Sequence, residues 1–185
     1  AMSIIPIIVT IVIVLLALFV TAIYFPKLEK YVQIICMIPY TIQGVILSVS
    51  ILSLYVGSSS ILSNRLVMLM GAYCIVILPY IYQGIRNGMR AVNMPTLIEA
   101  AEMLGASKIY AFFRVVVPNI LSAIIVSSLL AVGIIFGDYV LIRNLAGTSA
   151  PNMQIFLYQT MKSDSTKASA VFVVIMFVTF VITAI

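Results

Sequence analysis

Residues 99–118 read EAAEMLGASKIYAFFRVVVP, the most charged and most punctuated part of an otherwise apolar chain. Apolar segments long enough to cross a bilayer lie on both sides of it. Just upstream, Thr96 and Glu99 have the T-x-x-E spacing of a capping box, with Pro95 before it. That spacing predicts a short helix carrying Leu97, Ile98, Ala100, Ala101, Met103 and Leu104. Gly105 is placed to end it in a left-handed conformation, which glycine reaches at least cost. Ser107 is placed to cap a second helix, Lys108 to Val117, running into Pro118. The expected product is a helix–glycine–helix elbow edged by Glu99, Glu102, Lys108 and Arg114. Ala100 and Ala101 are small enough for another protein surface to approach the backbone. An amphipathic loop resting on lipid headgroups is the competing reading of the same residues.

The rest of the chain sets the environment of the elbow. Of 185 residues, 64% are hydrophobic and 8% charged, where a soluble domain carries roughly a quarter charged residues. One globular core cannot hide that much apolar surface, so the chain belongs in a bilayer. Ten basic and five acidic residues leave a formal charge of +5. In so apolar a chain this balance points to cytoplasmic loops and lipid headgroups. No basic run with interleaved aromatics suggests nucleic acid. Histidine and tryptophan are absent. Cys36 and Cys74 sit in apolar runs without a C-x-x-C pattern and are expected to be buried free thiols, a disulfide between them being the lesser alternative. No zinc or haem site, and no cofactor held by this chain, is expected.

Taken in order, residues 4–25 carry no charge and form the first expected span. A signal peptide fits poorly, because the apolar run is long and lacks a charged leader and a small-residue cleavage site. The link PKLEKY at 26–31 precedes a second span at 32–55, interrupted by Pro39, Gln43 and Gly44. A proline there kinks a helix, and the freed carbonyl and the Gln43 amide need partners inside the protein. Gln43 is therefore either part of a packing kink or a pathway residue. Gly57 to Ser60 is expected to turn. A third span covers 66–84, with Pro79 near its end and Tyr80, Tyr82 and Gln83 at the interface. The fourth covers 119–136, with Pro118 in its first turn and a G-x-x-x-G pair, Gly133 and Gly137, that suits close helix packing. Asp138 and Tyr139 close it. Asp138 is expected either to pair with Arg143 at the interface or to face a pathway. A polar loop at 143–167 contains a short helix at 153–161, and a fifth span begins at Ala168. The fold class is all-α: a polytopic membrane bundle of about five spans, one domain over 1–185, with a loop segment at 86–117. There is no internal repeat.

The order Glu99-Ala100-Ala101, three residues, Gly105, nine residues, Val115, one residue, Val117, Pro118 closely resembles the EAA loop of ABC-importer permeases, E-A-A-x3-G-x9-I-x-L-P. Five letters are identical, and Val115 and Val117 replace Ile and Leu with apolar character kept. The flanks GMRAVNMPTLIEAAEMLGAS and FFRVVVPNILSAIIVS resemble permease sequence as well, and a looser likeness covers nearly the whole chain. The resemblance implies the type I permease fold in a bacterial-type plasma (inner) membrane. It implies a second permease subunit, identical or related, and a cytoplasmic ABC ATPase dimer that binds ATP and Mg. An extracytoplasmic solute-binding protein is the third implied partner. It assigns ATPase coupling to Glu99, Ala100, Ala101, Gly105 and Pro118, on a cytoplasmic loop. Lys27, Lys30, Arg86, Arg90, Lys108 and Arg114 then lie inside, and Arg65, Arg143, Lys162 and Lys167 outside. Six spans are common in the family, so a preceding span of a longer protein is expected. The stretches LPYIYQGIRNGMRAVNMPTLIEAA and FGDYVL look most like the branch handling polyamines, ferric iron and phosphonates. Asp138 with Tyr139 would suit a cationic solute.

The sequence has no G-x-x-x-x-G-K-[ST] loop, carboxylate pair or nucleophile–base set, so bond chemistry is not expected of it. Two other functions stay in view. An ATP-independent channel or secondary transporter would use Asp138, the mid-span prolines and Gln43. An intramembrane enzyme is disfavoured by the lack of histidine and of an acid pair.

Overall fold

Helix α4 (Arg65–Ala91) is the post around which the other helices are arranged. It is preceded by α1 (Ile4–Ile23), a 3-10 turn (Pro26–Leu28), α2 (Glu29–Thr41) and α3 (Gly44–Tyr55). It is followed by α5 (Met94–Met103), α6 (Lys108–Ala111), a π-helical turn (Phe112–Val116), α7 (Val117–Asn119) and α8 (Leu121–Gly137). A second π-helical turn (Ile142–Ala146), α9 (Met153–Ser163) and α10 (Ser165–Ala184) complete the order. This computed structural model describes residues 4–42, 44–55, 64–147, 153–163 and 165–184. The expected turn at Gly57 to Ser60 and the pathway candidate Gln43 lie outside them.

Asn64 starts α4 by accepting a hydrogen bond from the Leu66 amide at 3.0 Å. The helix then packs on α1, α2, α8 and the second π-helical turn. Neighbours on several sides explain why Ala72, Ile77, Ile81, Tyr82 and Ile85 all lose their solvent exposure. The third expected span ends at 84, but α4 continues to Ala91 and carries Arg86 and Arg90 as helix. Nothing in that tract breaks a helix until Asn93, whose backbone is left-handed at φ 49°.

Close helix packing falls on a different glycine pair from the expected one. A Cβ at Gly84 would overlap the Ser127 hydroxyl, and one at Gly88 would stand 2.5 Å from the Ala123 Cβ. The seam between α4 and α8 is thus Gly84-x3-Gly88 against Ala123-x3-Ser127, small residues facing small residues. Gly133 and Gly137 have open space where a Cβ would sit. Their spacing is right, but they lie on a face of α8 turned away from α4.

Two helices, Ile4–Ile23 and Arg65–Ala91, are continuous, apolar and long enough to cross a membrane. The second expected span is broken: the pair Pro26–Thr41 and Gly44–Tyr55 is bent by 96°. Pro39 cannot donate to the helix ladder, Ile42 closes back on the Pro39 carbonyl, and α2 ends. The fourth expected span corresponds to the continuous helix α8, and a bend of 64° lies at its start, between Lys108–Asn119 and Leu121–Gly137. Pro118 therefore sits in α7, before the bend, and not in the first turn of α8. The last apolar helical stretch, Thr166–Val181, is shorter. Against the expected five or so spans, the second interrupted at its middle, the described residues hold two continuous spans, two bent pairs and this shorter helix. Among the described residues there is no strand.

Candidate functional site

The elbow stands at the α4 C-terminal end of the bundle. Helix α5 starts at Met94, with Asn93 as its N-cap and Pro95 in its first turn. The expected capping box does not form, because Pro95 is accommodated inside the helix and Thr96 is already helical. Glu99 consequently has no capping role and is exposed. Met94, Ile98 and Ala101 recur on one face and are buried. They turn α5 toward α6 and the first π-helical turn.

Gly105 ends α5 as its sequence position predicts, at φ +85°. Its amide donates to the Glu102 carbonyl at 2.9 Å, and the Ala106 amide donates to the Ala101 carbonyl at 3.0 Å. This is the paired bonding of a Schellman motif. Ser107 then caps α6 by accepting from the Tyr110 amide at 3.3 Å, also as expected. The fold divides the coupling candidates between two faces. Glu99, Ala100, Gly105 and Pro118 are exposed, while Ala101 is buried and holds the motif from inside. Between them Met103 and Leu104 are 88% and 89% exposed at the elbow tip. They are the two most exposed large apolar side chains among the described residues.

The second arm is anchored where the first is free. Phe112 is fully buried, its ring centroid 4.8 Å from that of Phe19 on α1. The arm is not one regular helix to Val117, as the sequence suggested. Pro118 offers no N–H, the chain widens into the π-helical turn, and the Asn119 side-chain amide donates to the Val115 carbonyl at 2.8 Å.

Beside the elbow root, Arg86 and Arg90 converge on Glu29 at the start of α2, at 2.7 Å and 3.5 Å. Residue spacing along one chain gives no signal for this contact, since Glu29 is 57 residues from Arg86.

The opposite end of α4 lies ~40 Å away at 1.5 Å per residue. There Asp138 accepts a hydrogen bond from the Tyr73 hydroxyl at 3.3 Å. The expected pairing of Asp138 with Arg143 does not occur. The Arg143 guanidinium instead lies over the Tyr158 and Tyr139 rings, 5.0 and 5.8 Å from their centroids. Arg143 lies in the π-helical turn that begins at Ile142, and its side chain is directed toward Tyr158 of α9. Tyr139 stacks on Tyr158 at 5.0 Å. Lys162, by hydrogen bond and charge, and then Arg143 hold the Tyr158 hydroxyl below the usual tyrosine pKa. The expected short helix at 153–161 is present as α9. Cys36 and Cys74 are free, Cys36 buried and Cys74 partly so.

An apolar, all-α bundle with an exposed helix–glycine–helix elbow at one end has the architecture of a type I importer permease. The chain belongs to the family described as binding-protein-dependent transport system inner membrane component, which matches residues 2–185. No individual curated protein matches it. It is thus a membrane component of an ABC import system, and the family implies an ABC ATPase and a solute-binding protein as partners.

Proposed function

We propose that this chain is a multi-pass permease subunit that pairs with a second permease, identical or related, to form the pathway of an ATP-driven importer. Its elbow faces the cytoplasm and seats on the ATPase, which supplies ATP and Mg. One observation carries this reading. The elbow presents Glu99, Ala100, Met103, Leu104 and Gly105 outward, while its second arm is rooted in the bundle through Phe112. A part that is exposed at one end and buried at the other can pass a push from a partner to the helices. The spans then rock between outward-open and inward-open states as packed units. Glu99, Ala100, Ala101, Gly105 and Pro118 form the coupling set, and Gln43, Asp138 and Tyr139 belong to the pathway. The solute is small, of the polyamine, ferric iron or phosphonate type.

Gly105→Val tests it. The site has room for a side chain, since a Cβ there meets nothing within 4 Å. The substitution therefore acts through the backbone, which a β-branched residue holds poorly at φ +85°. In the reconstituted complex the variant should insert and let ATP be hydrolysed, but uptake should fall. Normal uptake would overturn the coupling role. Uptake by the native complex without ATP would favour a channel or secondary transporter.

A further inference from the structure

The end of the bundle opposite the elbow holds a cavity of about 460 Å³. Val49 and Leu52 of α3 and Ile155 of α9 give it apolar walls, and Arg143, Asn144 and Gln159 give it polar ones. Among the described residues, no carboxylate lines it. Asn144 is held in place by donating to the Ser48 hydroxyl at 2.8 Å, and Ser48 is fully buried. One of the two Asn144 amide N–H donors remains after that bond.

Arg143 is also fixed, but from its faces. Stacking over Tyr158 and Tyr139 engages the plane of the guanidinium and leaves its in-plane N–H donors at the edge. A second guanidinium joins it. Gly147, which lines the cavity and bends the chain at φ +58°, has the Arg65 Nη1 3.3 Å from the place a Cβ would occupy. One guanidinium fork and two amides line this small volume, with the Arg65 guanidinium beside its Gly147 edge, and together they suit a group with several acceptor oxygens and negative charge. They repel a polyamine or a bare metal cation. Asp138, the one acidic candidate at this end in the sequence reading, is turned to Tyr73 and does not line the cavity.

We propose that this cavity binds the oxyanion group of a small solute, of the phosphonate or phosphate class. The apolar walls leave room for a short carbon substituent. The inference deepens the importer reading by narrowing its solute, and rests on that reading for the claim that the bound molecule is cargo. A small solute fits better than an acidic segment of a partner protein, because the donors line a concave volume between three elements and not a flat surface.

The test is direct binding to the full chain, in complex with its permease and ATPase partners, in phosphatidylcholine nanodiscs without ATP. Methylphosphonate, inorganic phosphate and spermidine are titrated calorimetrically. Either oxyanion should bind and spermidine should not. Arg143→Gln should weaken oxyanion binding by at least about tenfold, as expected for loss of a charge-assisted fork. Arg143→Lys should recover part of that loss. If Arg143→Gln does not insert, Arg65→Gln and Gln159→Leu carry the same comparison. Spermidine binding without oxyanion binding would overturn the proposal. So would oxyanion affinity that is unchanged in these variants. Because binding is read without ATP, oxyanion binding with no ATP-driven uptake would count against the importer reading alone.

Discussion

Arg86 holds Glu29 through two hydrogen bonds to the same carboxylate oxygen, 2.9 Å from Nε and 2.7 Å from Nη2. The contact ties the start of α2 to the last turns of α4, just before the chain enters the elbow. The Arg86 side chain is 15% exposed and that of Glu29 38% exposed, so the pair lies between a surface ion pair and a buried one. Glu29→Gln should therefore cost about 1–2 kcal/mol, more than a surface pair and less than a fully buried one. Thermal unfolding in detergent measures it. The double variant Glu29→Arg with Arg86→Glu should recover part of the loss, and no recovery would show that the pair itself contributes little.

The α4–α8 seam gives the sharpest steric prediction. Gly84→Val places carbon where the Ser127 hydroxyl now lies, and the helices must separate to admit it. A cost of about 1–3 kcal/mol is expected, the range for overpacking. Gly133→Ala and Gly137→Ala meet open space at helical positions and should leave the unfolding temperature of the isolated chain unchanged or slightly raised. A stable Gly84→Val protein would mean that the two helices are not in register as described.

Phe112 and Phe113 are neighbours with opposite burial, 0% against 48% exposed. Phe112→Ala should lose about 3–5 kcal/mol, the usual cost of removing a buried ring. Phe113→Ala should lose under about 1 kcal/mol, as substitutions on an exposed position do. Uptake measured on the surviving protein should fall more for Phe112→Ala than for Phe113→Ala if the second arm roots the elbow. Equal effects would detach the elbow's function from its anchoring.

At the glycine bend, a residue that tolerates positive φ separates conformation from side-chain loss. Gly105→Asn should keep most of the coupling that Gly105→Val removes, because asparagine enters the left-handed region more readily. Uptake per ATP hydrolysed is the readout. Equal loss in both variants would assign the role of Gly105 to close approach of a partner and not to the bend.

Much of the elbow is legible in the sequence. The Gly105 bend and the Ser107 cap follow from side-chain chemistry within a few residues, so a local pattern suffices. The start of α5 is ambiguous in the sequence because Pro95 and Thr96 fit either a boundary or a first turn, and packing of Met94 into the core selects the second. The Gly84-x3-Gly88 pair was in the sequence as plainly as Gly133-x3-Gly137. Spacing marks a face that can be approached, but the helix that approaches it comes from elsewhere in the chain.

By itself the sequence determined that this chain is an apolar helical membrane protein with one punctuated elbow, because composition, capping and glycine conformation act over short distances. Which faces meet was set by the folded arrangement. It placed Glu29 on Arg86, Phe19 on Phe112 and Ser127 on Gly84, and turned Asp138 to Tyr73 and Arg143 to Tyr158. Each of these contacts joins residues separated by at least one bend or helix. Their partners were set by how helices of nearly uniform apolarity interlock, and uniform apolarity leaves little pattern along the chain to read.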